Sequence, residues 1–264
     1  MSDSHSLINI DILAEQSLLN YLNPGYKMLI GISSLLLCIT IQSYILMVVI
    51  AFSMMFVTIY MGKLKLSIYI RLLSLPIAFL ILSGIAILIQ ISNTEIGIVN
   101  IPFMHWYLSI TKASFYETII VIIRSYSAIT CLFMISLTTP IADIIGVLRK
   151  VKVPDIIIEL MYLIYRYIMI LIEVNAKMTI AASSRLGYKD FKTSYRSMFG
   201  IATNLLVLSF KRASMSFDAM ESRGYNGSIK FWQEKKLIHR QEVILGVMYF
   251  IVLGIIIIAE RLWL

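Results

Sequence analysis

Two short strings in the second half of the chain repeat one pattern, in which a serine and an arginine are followed by a glycine and a tyrosine. They are Ser184-Arg185-Leu186-Gly187-Tyr188 and, with the arginines 38 residues apart, Ser222-Arg223-Gly224-Tyr225. Each string closes a run of residues with helical periodicity. A glycine just past the last helical residue can take the left-handed conformation that ends a helix. We therefore expect the two helices to end at their arginines, with the glycines as the stops.

An arginine held at a rigid helix end can make paired hydrogen bonds to a carboxylate on another protein, which a flexible lysine does less well. The two strings therefore predict a docking site for a partner protein. Its expected contact residues are Ser184, Arg185, Leu186, Ser222, Arg223 and Gly224, and its expected supporting residues are Glu221, Tyr225 and Gly187. Taken singly, each string also fits an ordinary helix C-terminus, where a cation complements the helix dipole.

Residue patterns for other chemistries are missing from the sequence. No G-x-x-x-x-G-K-[ST] string occurs, so the chain is not expected to hydrolyse ATP. Cys38 and Cys131 lie in apolar segments without a CxxC pair, and the three histidines are far apart, so no metal site is predicted. Glu117 and Arg124 lie seven residues apart in an apolar segment, where we expect both to face protein and to neutralise each other.

Composition identifies the class of protein. Of the 264 residues 59% are hydrophobic and 14% are charged, and the mean hydropathy is +0.85. Soluble proteins have about 45–50% apolar and about 25% charged residues. These values exclude a soluble globular enzyme and a disordered chain, and they predict an all-α polytopic membrane protein. Its expected surroundings are the lipid bilayer, and no nucleic-acid partner is expected.

Five apolar segments are predicted to cross the membrane. The uncharged run 28–62 would be about 52 Å long as one helix, against a hydrocarbon core of about 30 Å, so we expect two helices with a break at Gln42–Ser43. The other three predicted spans are 72–94, 113–138 and 243–259. The first 27 residues lack the basic and apolar regions of a cleaved signal peptide.

The segment 156–174 is apolar enough for a sixth span, but its charges argue against one. Glu159, Arg166 and Glu173 follow each other at intervals of seven residues, which places them on one face of a helix. An arginine near the bilayer centre would cost about 2.5–3.5 kcal/mol. We therefore predict an amphipathic helix outside the hydrocarbon, with a six-span model as the alternative.

The distribution of charge predicts the orientation in the membrane. Residues 140–240 hold 16 of the 23 Lys+Arg and 8 of the 15 Asp+Glu, which accounts for the whole net charge of +8. Basic loops stay in the cytoplasm. We expect a cytoplasmic N-terminal segment at 1–27, a four-helix membrane domain at 28–139, a cytoplasmic domain of amphipathic helices at 140–240 and a last span at 241–264. The N-terminus would lie inside the cell and the segment 95–111 outside.

One string in the basic region resembles a family signature. Residues 218–225 read DAMESRGY, which is similar to the Ala-Met-Glu-Ala-Arg-Gly-Tyr signature of the transmembrane T component of energy-coupling-factor (ECF) importers, especially the cobalt and nickel branch, CbiQ. Further similar strings are Asp11 with Leu22-Asn23-Pro24-Gly25-Tyr26-Lys27, Thr138-Thr139-Pro140, Val153-Pro154 and Tyr165-Arg166-Tyr167. The chain departs from the family pattern at Ser222, where alanine is usual, and at Leu186, which separates Arg185 from Gly187.

The resemblance implies a scaffold in a four-part importer of the cell membrane. Its partners would be a substrate-binding membrane S component and two ABC-type ATPase subunits, which would bind ATP and Mg and perform all the catalysis. Arg185 and Arg223 would dock into grooves of the ATPases, and the 156–174 helix would be the first coupling element. The CbiQ branch implies cobalt or nickel as the substrate, held by the S component.

Three alternatives stay open. One is the T component of a vitamin-specific ECF importer, in which the same arginines would have the same role. The others are a stand-alone secondary carrier and an intramembrane enzyme, although the apolar segments show neither an inverted repeat nor paired catalytic groups. Reconstitution of the chain alone would separate them, because a carrier transports without partners.

Overall fold

Nine α-helices and one small sheet form the part of the chain that the computed structural model describes, which comprises residues 4–41, 43–92, 99–103, 106–227, 236, 238 and 240–263. The helices are α1 (Ser4–Gln16), α2 (Pro24–Thr40), α3 (Tyr44–Phe56), α4 (Leu66–Leu88), α5 (Lys112–Thr138), α6 (Ile141–Lys150), α7 (Asp155–Ser184), α8 (Phe191–Glu221) and α9 (Arg240–Trp263). The predicted class of an all-α polytopic membrane protein is confirmed.

A three-stranded antiparallel sheet follows α4, with its last two strands in the predicted outer segment 95–111 and its first strand in the predicted span 72–94. Its strands are β1 (Gln90–Ser92), β2 (Val99–Phe103) and β3 (Trp106–Ile110). The spatial order is β1-β3-β2, and Leu108 of β3 lies opposite Ile91 of β1 and Ile101 of β2. Strands are recognised in a sequence by alternating apolar and polar residues over about four to eight positions. These strands have only three to five residues, so the sequence analysis missed them.

Four helical stretches are long and apolar enough to cross a membrane, namely Tyr44–Met61, Leu66–Leu88, Lys112–Thr138 and Glu242–Glu260. The first is α3, continued by one π-helical turn at Val57–Met61. The first predicted span, at the start of the run 28–62, corresponds to α2, whose 17 residues are about 25 Å long, slightly less than the hydrocarbon core of about 30 Å. The predicted break is confirmed, because α2 ends at Thr40 and α3 begins at Tyr44; Gln42 lies outside the described residues.

The predicted bounds of the third span, 72–94, are wrong. Helix α4 runs from Leu66 to Leu88, so it starts and ends six residues earlier. It contains Arg71, which is exposed and lies in the second turn. A long basic side chain near a helix end can keep its charge in water while its stem packs on apolar surface, so the charge did not mark the boundary.

The chain divides into two compact units. The membrane unit comprises Asp11–Pro140 and Lys236–Leu264, and the basic unit comprises Met1–Ile10 and Ile141–Lys235. In the membrane unit α5 is central, since it packs on α2, α3 and α4, and α9 packs on α3. The fully buried core consists of Cys38, Leu46, Met47, Ile50, Met54, Cys131, Met134 and Leu253.

Polar caps fix where the helices of the membrane unit begin. Asn23 precedes α2, and its side-chain oxygen accepts hydrogen bonds from the amides of Gly25 and Tyr26 at 3.0 and 3.4 Å. Thr111 and Ser114 form a reciprocal capping box at the start of α5. The first amide groups of a helix have no hydrogen-bond acceptor within the helix, and hydrocarbon offers none. These side chains supply the acceptors.

A buried lysine joins two segments that belong to the family-like strings. Lys27 in the first turn of α2 is only 4% exposed. Its ammonium nitrogen donates hydrogen bonds to the carbonyl oxygens of Leu19 at 3.0 Å and Thr138 at 2.6 Å. Thr138 is the last residue of α5, so its carbonyl has no partner within the helix. The cation therefore caps the C-terminus of the central helix.

The expected pairing of Glu117 and Arg124 is not found. Glu117 is exposed and Arg124 is half-buried in α5. No ion pair within 4 Å joins them, whereas Arg149 pairs with Asp155 and Lys177 with Glu173 among the described residues. A seven-residue spacing places two side chains on one face but about 10 Å apart along the axis, which is too far for a direct contact.

In the basic unit, α6 packs on α7 and α7 packs on α8. Helix α7 is continuous over 30 residues and includes both the predicted 156–174 helix and the run before the first arginine. The prediction of one polar stripe along it is wrong at one end, because Glu159 is only 3% exposed whereas Arg166 and Glu173 are exposed. Helix α8 is the helical run that the second string closes, and it is 31 residues long.

Replacing Lys27 tests its role as a cap. We expect Lys27→Met to lower the free energy of unfolding by about 1–3 kcal/mol, because the buried carbonyl of Thr138 loses its donor and that of Leu19 keeps only the Leu22 amide. Thermal unfolding of the purified protein in detergent measures the change. Lys65→Met is the control, since Lys65 is exposed and its side chain caps nothing. Equal effects of the two substitutions would contradict the assigned role.

Candidate functional site

The first arginine string forms the end of α7. The helix runs to Ser184, and Arg185 is the C-terminal cap residue. The amide of Gly187 donates to the carbonyl of Ala182 at 2.8 Å, which closes the last turn with a bond across five residues. Leu186 takes the left-handed conformation, with φ of 58°. This is the Schellman arrangement of a helix C-terminus.

The second string ends α8 in the same way. The helix runs to Glu221 and Ser222 is its cap residue. The amide of Tyr225 donates to the carbonyl of Met220 at 3.1 Å, again across five residues. Gly224 is the left-handed residue, with φ of 75°. The prediction that the helices end at the arginines is thereby confirmed at both sites.

The two helix ends correspond residue by residue when their closing hydrogen bonds are superposed. Arg185 corresponds to Arg223, and Ser184 to Ser222. Leu186 corresponds to Gly224, and the predicted stop at Gly187 is wrong because the left-handed position precedes it. The extra leucine of the first string is therefore no insertion, since it occupies the position of the second string's glycine. A leucine there costs about 1–2 kcal/mol relative to the right-handed region.

Gly187 has a different reason to be a glycine. A β-carbon added there would lie 2.7 Å from the carbonyl oxygen of Ala182 and 2.7 Å from the hydroxyl of Ser197. The hydroxyl of Ser197 donates to the carbonyl of Gly187 at 2.8 Å, which ties the first turns of α8 to the end of α7. Gly187 thus permits a close approach between the end of α7 and the start of α8.

Both arginines are available to a partner. Arg185 and Arg223 are exposed, and neither takes part in an ion pair within the described residues. Leu186, beside the first arginine, is 69% exposed, and Glu221 and Gly224 are exposed as well. A guanidinium that no neighbouring carboxylate occupies, fixed at a closed helix end, keeps its donors free for an external carboxylate.

Tyr225 connects the second helix end to a buried carboxylate on α7. Its hydroxyl donates to Oε2 of Glu159 at 3.0 Å. This hydrogen bond raises the pKa of Tyr225, because removing its proton would place two negative charges side by side. Glu159 lies on the second turn of α7, 66 residues before Tyr225. Its burial identifies it as a positioning residue for the Arg223 end, which sequence spacing alone did not indicate.

The helices that carry the arginines leave much apolar surface uncovered. No residue of α8 is buried within the chain. A cavity of about 560 Å³ opens between α7 and α8, and Leu160, Leu163, Ile164, Tyr167, Phe217 and Met220 are among its lining residues. The hydroxyl of Tyr167 also forms a hydrogen bond with that of Ser216 across the helix pair. Exposed apolar surface of this extent is typical of interfaces with proteins or lipid.

Metal-ligating residues do not converge in the described part of the chain, where no group of three His, Cys, Asp or Glu side chains could hold an ion. Cys38 and Cys131 are buried in the core of the membrane unit as free thiols. Among the described residues of the basic unit, the groups suited to binding are therefore the exposed arginines at the two helix ends, which can form hydrogen bonds and ion pairs.

Comparison with known proteins gives one family. The family model CbiQ, described as cobalt transport protein, matches residues 15–232. Among similar proteins, MJ1089 of Methanocaldococcus jannaschii is 34% identical over 110 residues, which cover 42% of this chain and 41% of that protein. The cobalt transport protein CbiQ of Rhodobacter capsulatus is 34% identical over 93 residues, covering 35% of this chain and 38% of its own length.

A third relative carries the name of an ECF component. The energy-coupling factor transporter transmembrane protein EcfT of Lactococcus lactis is 32% identical over 139 residues, which cover 48% of this chain and 52% of that protein. The matches thus span about two fifths to one half of these curated relatives. The resemblance stated from the sequence strings is confirmed.

Replacing Leu186 by glycine tests the correspondence of the two helix ends. We expect Leu186→Gly to raise the free energy of unfolding by about 1 kcal/mol, because glycine takes the left-handed conformation without a steric cost. Thermal unfolding in detergent measures the gain. Leu186→Ala, which keeps a β-carbon, should give none, and a loss of stability in the glycine variant would contradict the assignment.

Removing the Tyr225 hydroxyl tests the positioning role of Glu159. We expect Tyr225→Phe to cost about 1–3 kcal/mol of stability, because a buried carboxylate loses a donor. Hydrogen exchange at the amides of residues 220–225 should become faster, which thermal unfolding alone would not reveal. Tyr188→Phe, at the tyrosine that follows the first string, is the matched control. Unchanged exchange in Tyr225→Phe would contradict the role.

Proposed function

Because the chain belongs to the CbiQ family of cobalt transport proteins, we propose that it is the transmembrane T component of an ECF-type importer. It would couple ATP hydrolysis by two partner ATPases to uptake by a substrate-binding S component. The observation that carries this proposal is the pair of equivalent helix ends, each with an exposed arginine that has no ion-pair partner in the described part of the chain. The relative named EcfT supports the ECF assignment.

Docking would place each guanidinium on an acidic residue of one ATPase. Two equivalent ends on α7 and α8 fit two similar subunits, since each end would present an arginine in the same backbone geometry. The closing hydrogen bonds at Ala182 and Met220 restrict the cap residues, so little conformational freedom remains to be lost on binding. ATP and Mg would be bound by the ATPases, and this chain would be non-catalytic.

Coupling would follow from the length and contact of the two helices. Helices α7 and α8 have 30 and 31 residues, which makes each about 45 Å long. They pack on each other through apolar side chains and the Tyr167–Ser216 hydrogen bond. A movement of the ATPases that shifts Arg185 relative to Arg223 would change the angle between the helices. The apolar surface they expose would pass this change to the S component.

The proposed substrate is cobalt, or nickel, bound by the S component. The family description and the name of the Rhodobacter capsulatus relative support it. The second candidate is a vitamin. The name of the Lactococcus lactis relative, an ECF transmembrane protein, specifies no metal, so it is compatible with a vitamin-specific importer. Uptake of labelled cobalt by cells that express the chain with its ATPase and S components, against uptake of labelled vitamins, distinguishes the two.

Substitution of both arginines tests the docking role. We expect Arg185→Ala and Arg223→Ala each to weaken co-purification of the ATPases about tenfold or more, since each removes a charge-assisted hydrogen-bonded pair. The double variant should abolish uptake without lowering the amount of protein in the membrane. Arg185→Lys and Arg223→Lys should lie in between, because an ammonium cannot make the paired contact.

The matched control is Lys211→Ala, since Lys211 is an exposed basic residue of α8 that lies about 18 Å along the helix axis from Arg223 and further still from the Ser197 contact with the first helix end. It should leave uptake and co-purification unchanged. Normal uptake in the double arginine variant, or uptake by the chain reconstituted alone, would contradict the proposed function.

A further inference from the structure

A cavity of about 310 Å³ lies inside the membrane unit, where α2, α3, α5 and α9 meet. Its wall is almost wholly apolar and includes Leu19, Leu22, Ile30, Met54, Val57 and Met134. An engineered apolar cavity of about 150 Å³ stays dry and binds benzene. The present cavity is about twice that size, so it has room for part of a hydrocarbon chain but offers few partners to water.

The cavity extends inward from one end of the helix bundle. Glu242 and Tyr249 both line it and lie seven residues apart on α9, which is about 10 Å along the helix axis. Lys27 in the first turn of α2 and Glu242 in the first turn of α9 lie at the same end, because the neighbouring hydroxyl of Tyr26 donates to the main-chain oxygen of Glu242. The cavity is therefore elongated, with two charged residues at its outer end and apolar side chains further in.

The two charged residues differ in what they bind. The ammonium of Lys27 is engaged by the carbonyls of Leu19 and Thr138. Glu242 is only 9% exposed, and its Oε2 is buried and accepts no hydrogen bond from the described part of the chain. Burying a carboxylate oxygen without a donor is costly. Oε2 of Glu242 thus has no hydrogen-bond donor among the described residues, and a cationic donor would fit it best.

We infer that the cavity binds one acyl chain of a bilayer phospholipid whose primary ammonium head group donates a hydrogen bond to Glu242. The apolar wall selects a hydrocarbon chain, and the unpaired carboxylate selects an ammonium rather than an anionic head group. The helices around the cavity include three that are long enough to span a membrane, so lipid is the apolar ligand that surrounds them. The inference is independent of the proposed docking of ATPases.

Native mass spectrometry of the full chain tests this inference. The protein is purified in detergent, stripped of lipid and mixed with phosphatidylethanolamine, phosphatidylcholine or phosphatidylglycerol of identical acyl chains. We expect one phosphatidylethanolamine to be retained, about tenfold better than either other lipid, since a charge-assisted hydrogen bond is gained. Phosphatidylcholine is the sharp comparison, because its quaternary ammonium carries a charge but no N–H.

Two variants and one control locate the site. Glu242→Gln keeps the side-chain shape and should reduce retention of phosphatidylethanolamine about tenfold, to that of phosphatidylcholine. Glu260→Gln, at the opposite end of α9, should leave retention unchanged. Val57→Phe, which fills the cavity, should reduce retention of the phosphatidylethanolamine. A phosphatidylethanolamine with a photoreactive group in its acyl chain should label peptides that contain Met54 or Met134.

The opposite results would overturn the inference. They are equal retention of all three lipids, a preference for phosphatidylglycerol, labelling outside the cavity wall, or retention in Glu242→Gln equal to that of the unmodified chain. Each would mean that Glu242 and the cavity do not select the lipid.

Discussion

Hydrocarbon cannot hydrogen-bond a peptide group or solvate a charge. This constraint controls where the helices are capped and where the charged residues lie. The membrane unit meets it with side chains that cap the helix ends, such as Asn23 before α2 and the Thr111–Ser114 pair before α5. Where a cation is buried, as at Lys27, it donates hydrogen bonds to the carbonyl that ends α5 and to that of Leu19. The excess of positive charge is concentrated in residues 140–240, which contain the two arginine-tipped helix ends.

Those helix ends show how one backbone geometry can be reached from two different strings. Gly224 takes the left-handed position at no steric cost, whereas Leu186 takes it with a β-carbon present. A residue keeps a strained backbone conformation only where the surrounding structure holds it there, and such strain is common at binding sites. The Ser197 hydrogen bond to the carbonyl of Gly187 supplies part of that surrounding structure. The leucine at this position presents an exposed apolar side chain beside Arg185.

The basic unit leaves much apolar surface of its long helices uncovered. Helix α8 buries no residue within the chain although it carries many apolar side chains, and the cavity between α7 and α8 is open. Long helices with two apolar faces are stable when something else covers the second face. In the proposed assembly, partner proteins would supply such cover. The buried Glu159 and its hydrogen bond from Tyr225 would hold the second arginine in place before any partner binds.

Composition, helical periodicity and short strings are local properties, and from them the amino-acid sequence predicted the class, the order of the five apolar helices, the two helix ends and the family. It also placed the arginines correctly at the ends of α7 and α8. Three features became visible only in the folded chain: Leu186 and not Gly187 is the left-handed residue, Glu159 is buried against Tyr225, and Lys27 caps α5. The partners in the last two contacts lie 66 and 111 residues apart. A contact over such distances depends on how helices pack, which no spacing along the chain encodes.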